Sequence, residues 1–171
     1  VIVSVMKPQR AVRSDSDDLS LMASFDIPLP YDLNEAQGRK LLGLPGGDLW
    51  DGVQFINMRS ASGDDVSCLN LYRATQPRVT TAPAAMAMIS ELRFAASVDD
   101  VDNPWTLLEK PLDDGSIPAI ADNESAQWIL QKRLGDTLTV TDETGTERKL
   151  RLVAFLRKSV FQGEVLVSEA S

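Results

Sequence analysis

The sequence predicts a mixed α+β (mixed α/β) domain, and three observations lead to this class. Short β-branched runs recur along the chain, and in Thr137–Thr141 apolar and polar residues alternate with a period of two. Between two groups of such runs, apolar residues follow a helical spacing instead. The chain has 171 residues, of which 43% are hydrophobic. A chain of this length buries about 70% of its unfolded surface, so we expect a packed core.

The first half of the chain is predicted to contain both strands and helices. Apolar, β-branched composition predicts strands at residues 1–5, 19–25, 53–59 and 67–72. A short helix is expected at residues 34–42, where Gly43 and the following Pro-Gly-Gly loop end it. This half closes with the acidic run 99–104, which has the composition of a loop. We therefore predict an N-terminal α/β lobe, residues 1–103, and a C-terminal lobe of a helix plus a β-hairpin, residues 104–171.

A second and longer helix is predicted at residues 82–96. Thr81 can cap it and Pro83 suits its first turn. One face of this helix would be apolar, comprising Ala85, Met88, Ile89, Leu92 and Ala96. We expect this face to be core, although a Met-containing apolar helix also suits an adaptable groove for a partner.

The second half is predicted to alternate strand, helix, hairpin and strand. A strand at 117–120 precedes a helix capped by Asp122 or Asn123 and ended by Gly135. Its apolar face comprises Ala126, Ile129, Leu130 and Leu134. Thr137–Thr141, a turn at 142–145 and a return strand at 148–156 form a hairpin. A last strand is expected near Glu164–Ser168.

The composition excludes several classes of function. With no histidine, the chain cannot hold a Ser-His-Asp or Cys-His catalytic group or a His-ligated metal. Its single cysteine, Cys68, excludes an intramolecular disulfide, and we expect a small buried thiol there. The formal net charge of −8 disfavours nucleic acid as a partner.

The acidic residues leave one enzymatic alternative open. Two facing carboxylates can hydrolyse glycosides without histidine. However, the three adjacent Asp pairs, 64–65, 99–100 and 113–114, all lie in turn-like sequence, where Asp stabilises the turn. Neither a calcium loop nor a phosphate-binding glycine loop is present, so we predict no metal and no cofactor. Trp50, Trp105 and Trp128 are expected to be partly buried, with ligand stacking as the alternative.

Both ends of the sequence have the composition of structured segments. The chain begins directly with a predicted strand and stops just after another. No run approaches the roughly 18 apolar residues that would cross a bilayer. We interpret the chain as one domain cut from a longer polypeptide.

The order of elements in the second half resembles a known family. The residues that carry the resemblance are 115–122, 126–128, Leu134-Gly135-Asp136 with the strand after it, the return strand Leu150 to Leu156, and 159–170. They resemble the extracytoplasmic domain of FtsX-like ABC-transporter permeases of the MacB type, in which an L-G-D-x-[LI]-x-[VI] motif opens a hairpin. The stretch 63–71 resembles one large-permease branch of this group. The matched parts cover about a third of the chain.

This resemblance implies a fold and a function. The fold would be a MacB-like periplasmic core with a porter-like α/β lobe and a smaller β-rich lobe, continuing beyond Ser171. The domain would be non-catalytic, would belong to a cell membrane protein and would lie on its periplasmic side. The full protein would pair with a cytoplasmic ATPase and a permease dimer mate, and the domain would contact substrate or a periplasmic partner protein while transmitting ATP-driven motion.

The alternative to the permease is a free-standing periplasmic or secreted binding module. We expect the isolated domain to be monomeric, because membrane helices supply much of the dimer contact in such proteins. The candidate contact residues are Gln127, Trp128, Phe161 and Gln162, for which packing within the domain is the competing interpretation.

Overall fold

A computed structural model describes the chain over residues 2–8, 21–25, 29–51, 53–61, 63, 77–88, 92–142 and 144–171. The described residues form nine strands and one short α-helix, with the following bounds: β1 Ile2–Pro8, β2 Leu21–Phe25, α1 Ala36–Leu41, β3 Val53–Ala61, β4 Arg78–Ala82, β5 Phe94–Ser97, β6 Ile117–Asp122, β7 Thr137–Thr141, β8 Glu147–Leu156 and β9 Glu164–Ser168. Short 3₁₀ turns occupy Asp48–Trp50, Ala84–Met88 and Pro104–Glu109, and a π-helical turn occupies Ser125–Ile129. The predicted mixed α+β class is confirmed.

The described strands form one mixed sheet. Its order is β2-β1-β3-β4-β9-β6-β8-β5, and β7 pairs with the first half of β8. The β4–β9 and β6–β8 pairs are parallel, and the other pairs are antiparallel. Strand β3 pairs with β1 over its first seven residues but with β4 only through Ser60 and Ala61. The first three strands therefore form a ribbon joined to the main sheet at the end of β3.

Strands from the two halves of the chain interleave in this sheet. β4 lies between β3 and β9, and β5 pairs with the end of β8. The boundary predicted after residue 103 therefore does not coincide with a break in the sheet, because hydrogen-bonded ladders join the two predicted lobes.

Two apolar clusters cover the two faces of the main sheet. In β6, Ile120 lies in the first cluster while its neighbours Ala119 and Ala121 lie in the second, as strand alternation requires. A bulge in β8 shifts the register at Val153, so that Val153 and Ala154 both belong to the first cluster. Both faces of the central strands are therefore buried.

The helix predicted at residues 82–96 is wrong. Ala82 ends β4, a 3₁₀ turn follows at Ala84–Met88, and Phe94–Ser97 is strand β5. The physical reason is that 94–97 pairs with the second half of β8, whose backbone would otherwise lack partners on that side. Met86 is nevertheless fully buried. The apolar character of the segment therefore predicted burial, whereas its helical spacing did not predict the backbone conformation.

The second predicted helix, which was to run from Asp122 to Leu134, is reduced to the π-helical turn Ser125–Ile129. Gln131 has a φ of +53°, which is incompatible with a right-handed helix and therefore ends it. The Gly135 amide donates to the Leu152 carbonyl of β8 instead of to a helical carbonyl. The short helix near 34–42, the strand near 53–59, the 137–156 hairpin and the last strand are confirmed. The strand predicted at 67–72, together with Cys68, lies outside the described residues.

Candidate contact surface at the β6 and β8 edge

The two central parallel strands end at the same edge of the sheet. Asp122, the last residue of β6, is in register with Leu156, the last residue of β8. Parallel strands point the same way, so the segments 123–135 and 157–163 leave the sheet side by side. This edge, which we call the β6/β8 edge, carries all four residues predicted as candidate contacts.

A buried carboxylate ties the two segments together. The Asp122 side chain is 1% exposed. Its Oδ1 accepts hydrogen bonds from the backbone amides of Glu124 (3.1 Å) and Ser125 (3.2 Å). Its Oδ2 accepts from the backbone amide (2.9 Å) and the hydroxyl (3.2 Å) of Ser159. A carboxylate without water is tolerated in a core only when donors surround it, and here both oxygens have them.

A second set of hydrogen bonds reinforces this base. The Ser125 hydroxyl, 2% exposed, accepts from the Gly163 amide at 2.9 Å. The Ser159 hydroxyl accepts from the Phe161 amide at 3.2 Å. The π-helical turn is therefore bonded directly to the loop after β8 through Ser125 and Gly163, and the Ser159–Phe161 bond holds the loop itself.

Each of the two segments also contains a residue with a strained backbone conformation. Among the described residues, the non-glycine residues with positive φ are Gln131 (+53°) and Lys158 (+43°), one in each segment. Such conformations cost of order 1 kcal/mol or more and persist only where the surroundings determine them. Short π-helical turns such as Ser125–Ile129 also occur preferentially at functional sites. These features single out the β6/β8 edge.

The four predicted contact residues separate on this edge. Trp128 is 78% exposed, the highest value for a large hydrophobic side chain among the described residues. Gln127 and Gln162 are exposed, and the Gln127 amide donates to Asn123 Oδ1 at 3.2 Å. Phe161, in contrast, is fully buried in the first apolar cluster, so its side chain anchors the loop and is not part of the surface.

Sequence reasoning missed two members of the exposed set. Ile129 is 42% exposed and Val160 is 38% exposed. Ile129 was assigned to the buried face of an α-helix, and the π-helical turn changes the spacing on which that assignment rested. No sequence signal marked Val160, because a single apolar residue in a loop is common.

The edge also carries a charge opposite to that of the whole chain. The cationic residues of segments 123–135 and 157–163 are Lys132, Arg133, Arg157 and Lys158. The same segments contain one acidic residue, Glu124. The chain as a whole has a formal net charge of −8, so the β6/β8 edge is a local cationic region on an acidic protein.

Acidic side chains in turns elsewhere form hydrogen bonds and ion pairs with neighbouring residues. Asp99 pairs with Lys110 at 2.7 Å, and this contact raises the pKa of Lys110. The Ser116 hydroxyl and amide lower the pKa of Asp114, which also pairs with Arg151 at 2.6 Å. No group of three potential metal-ligating side chains occurs among the residues that the structure describes.

A second buried acidic residue, Glu164, directly follows segment 157–163. Glu164, 5% exposed at the start of β9, accepts from the Thr80 hydroxyl at 2.9 Å and lies 3.4 Å from Arg78 Nη1. The Thr80 hydroxyl also lies 3.1 Å from Ser60 Oγ. This chain of contacts joins β3, β4 and β9 and is structural, because it connects the strands where β3 meets the main sheet.

The remaining aromatic residues and cavities have simpler roles. Trp105 is 5% exposed and packs edge-on against Phe94 with ring centres 5.5 Å apart. Trp50 donates to the Pro45 carbonyl at 2.7 Å and stacks obliquely on Phe55. An open, mostly apolar groove of about 440 Å³ lies on the second face of the sheet, and its lining includes Val79, Ile117, Val140, Leu150 and Val167. Among the described helices, none has the length and apolar character needed to cross a bilayer.

Comparison of the chain with protein-family models, with curated proteins and with solved structures finds no match.

Proposed function

We propose that this chain is a non-catalytic extracytoplasmic domain of an FtsX-like ABC-transporter permease of the MacB type, which contacts substrate or a partner protein and transmits ATP-driven motion. The proposal rests on the resemblance of residues 115–170 to that family. One structural observation supports it: β6, the β7–β8 hairpin and β9 follow in the order that the resemblance implies and belong to one sheet, although the helix expected after β6 is only a π-helical turn.

The finer parts of the proposal follow from the same resemblance. The porter-like lobe and the smaller β-rich lobe, the cytoplasmic ATPase, the permease dimer mate and the periplasmic location belong to the family pattern. Exposed Gln127, Trp128 and Gln162 are the contact residues retained from the predicted set. A rigid base under an exposed edge suits a domain that transmits force, because movement of one segment carries the other through Asp122.

A free-standing periplasmic or secreted binding module is the second candidate. The apolar groove of about 440 Å³ favours it, because its volume falls within the range of small-molecule sites. Gene context separates the two functions: the permease requires apolar spans of about 20 residues flanking this segment in the full-length protein, and the module requires a signal peptide instead.

Cysteine labelling in intact cells tests the location directly. In a Cys68→Ser background of the full-length protein, Thr139→Cys places a thiol at an exposed position of β7. Ala121→Cys, at a fully buried position of β6, is the matched control. We expect a membrane-impermeant maleimide to label the Thr139→Cys protein in intact cells and in the membrane fraction, and to leave the Ala121→Cys protein unlabelled until it is denatured.

Two other results would decide against the permease. Labelling of Thr139→Cys only after cell lysis would place the domain inside the cell and overturn the proposal. Labelling in intact cells of a protein released in the soluble periplasmic or secreted fraction would favour the binding module.

A further inference from the structure

The β6/β8 edge combines two kinds of side chain that rarely meet on the surface of an acidic protein. Its apolar part is exposed, and its cationic part lies in the same two segments. We call this set the basic-aromatic edge, and its members are Trp128, Ile129, Val160, Lys132, Arg157 and Lys158. Its position is fixed from beneath by Asp122 and Ser125.

The apolar part of this edge consists of three exposed side chains on two short segments. Trp128 is 78% exposed on a turn of five residues. Ile129 and Val160 add two further exposed apolar groups. Tryptophan has an apolar body with one polar N–H, and it concentrates where hydrocarbon meets water.

The positive charge of the edge favours a negatively charged partner. A chain with a net charge of −8 is repelled by an anionic surface unless a local region of opposite sign faces that surface. Arg157 and Lys158 are both exposed, and Lys132 is half-exposed. None of these three side chains forms a salt bridge within the described part of the chain.

We propose that the basic-aromatic edge docks on the surface of an anionic lipid bilayer, with Trp128 and Ile129 at the level of the headgroups and the cationic side chains above them. A lipid surface fits better than a protein partner because three exposed apolar side chains are too few for a standard protein interface, which buries about 800 Å² on each side. A deformable lipid interface accepts a small number of apolar side chains, and anionic headgroups attract the cations.

The strain in the two segments is consistent with this role. Gln131 and Lys158, the two residues with positive φ, each lie two positions from an exposed apolar residue, Ile129 and Val160 respectively. Because the buried Asp122 carboxylate holds both segments, the edge does not have to be ordered when it meets the bilayer. Preorganisation of this kind lowers the entropic cost of binding. The inference rests on this surface alone and does not depend on the permease proposal.

Flotation of the purified chain with lipid vesicles tests the proposal. The vesicles contain equal parts of phosphatidylglycerol and phosphatidylcholine, and vesicles of phosphatidylcholine alone are the comparison. We expect flotation with the anionic vesicles that weakens strongly when salt is raised from about 0.1 M to 1 M, because the screening length falls from about 10 Å to 3 Å. One basic side chain near the surface changes binding about fivefold.

Matched variants separate the edge from the rest of the surface. Arg157→Gln with Lys158→Gln should weaken partitioning about 25-fold, and Trp128→Ser about tenfold. The controls are Leu49→Ser, another exposed apolar side chain, and Lys149→Gln, an exposed cation at the opposite end of β8. Both controls should float like the parent chain. Trp128 is mostly exposed, so its removal should leave the far-ultraviolet circular dichroism spectrum and the melting temperature unchanged.

Three outcomes would overturn the proposal: no flotation with anionic vesicles at millimolar lipid, equal flotation with neutral vesicles, or an equal loss in the Leu49→Ser and Trp128→Ser variants. Binding to polyglutamate without binding to anionic vesicles would also overturn it and would assign the edge to an acidic protein partner. None of these results bears on the cellular location tested by maleimide labelling, so the two proposals fail separately.

Discussion

At the scale of single residues, Asp122 is the side chain on which the β6/β8 edge depends. It is buried, and four donors surround its two oxygens within 3.2 Å. Three of these donors are backbone amides, which cannot move away without unfolding their loops. The carboxylate therefore replaces the water that those amides would bind in an unfolded chain.

Removal of this carboxylate should destabilise the domain. We expect Asp122→Ala to lower the free energy of unfolding by about 3 kcal/mol, because it leaves three backbone amides, that of buried Ser125 among them, without their acceptor. Asp113→Ala, at an exposed turn position, should change it by less than about 0.5 kcal/mol. Urea unfolding of the three proteins measures both values, and equal stability of Asp122→Ala and the parent would contradict the role assigned to Asp122.

A second residue-scale effect concerns pH. The Thr144 hydroxyl, the Thr146 amide and Arg148 hold the pKa of Asp142 well below its ordinary value. Because the folded-state pKa is the lower one, this residue contributes stability that is fully present above the unfolded pKa of about 3.9 and is lost as pH falls towards the folded value. The affected window therefore lies below about pH 4.

Thermal melts should reveal this window. We expect Asp142→Asn to be less stable than the parent near pH 6 and to lose less stability between about pH 4 and pH 2, since it has no carboxyl to protonate. Asp113→Asn is the control and should follow the parent profile. Parallel profiles for Asp142→Asn and the parent would show that Asp142 does not contribute.

At the scale of elements, helix α1 is held to the sheet by side chains that precede it. The Asn34 amide group pairs with Phe55 of β3 in both directions, accepting from its amide at 2.8 Å and donating to its carbonyl at 3.0 Å. The Asn34 side chain thus makes the two hydrogen bonds to the Phe55 backbone that a neighbouring strand would otherwise make. The next turn brings Gly38 against Asp32, where an added Cβ would lie 2.0 Å from the Asp32 carbonyl oxygen.

This close approach makes Gly38 a test of the α1 packing. Gly38→Ala should lower the free energy of unfolding by about 1–3 kcal/mol, because the backbone of residue 32 must shift to admit a methyl group. Gly46→Ala, where an added Cβ meets nothing within 4 Å, should change it by less than about 0.5 kcal/mol. Chemical denaturation measures the difference, and similar values for the two variants would contradict the tight contact.

Elements with strong local signals were predictable, and the others were not. The β7–β8 hairpin combines strict alternation with a turn in which Asp142 bonds Thr144 and Thr146, so the information is local. Residues 82–96 carry an apolar pattern that fits a helix equally well, and pairing with β8 decides the conformation of 94–97. Trp128 was a candidate contact but was also expected to be partly buried, and its 78% exposure contradicts the second expectation. The burial of Phe161 depends on packing beneath the loop.

At the scale of the whole molecule, strands from both halves of the chain pair with one another in the main sheet. β4 covers one side of β9, and β5 covers one side of β8. Met86, from the turn after β4, is fully buried in the same cluster as Ile120, Val153 and Leu166. The C-terminal half on its own would therefore have open strand edges and an uncovered apolar face.

This arrangement predicts cooperative unfolding. The full chain should unfold in one transition that circular dichroism and tryptophan fluorescence report at the same denaturant concentration. A fragment of residues 104–171, produced alone, should lack a cooperative transition, because β4 and β5 are missing. A fragment with dispersed amide resonances and a cooperative melt would contradict this and would support an independent C-terminal lobe.

The amino-acid sequence is sufficient to predict the mixed class, the lack of histidine chemistry and the elements whose signals are local, because turn chemistry and two-residue alternation act over a few neighbours. The folded chain is needed to establish the strand order, the pairing of 94–97 with β8 and the meeting of segments 123–135 and 157–163 at one edge. These features depend on hydrogen bonds between residues far apart in the chain, such as Asp122 and Ser159, and no local pattern encodes which distant strand satisfies a given backbone group.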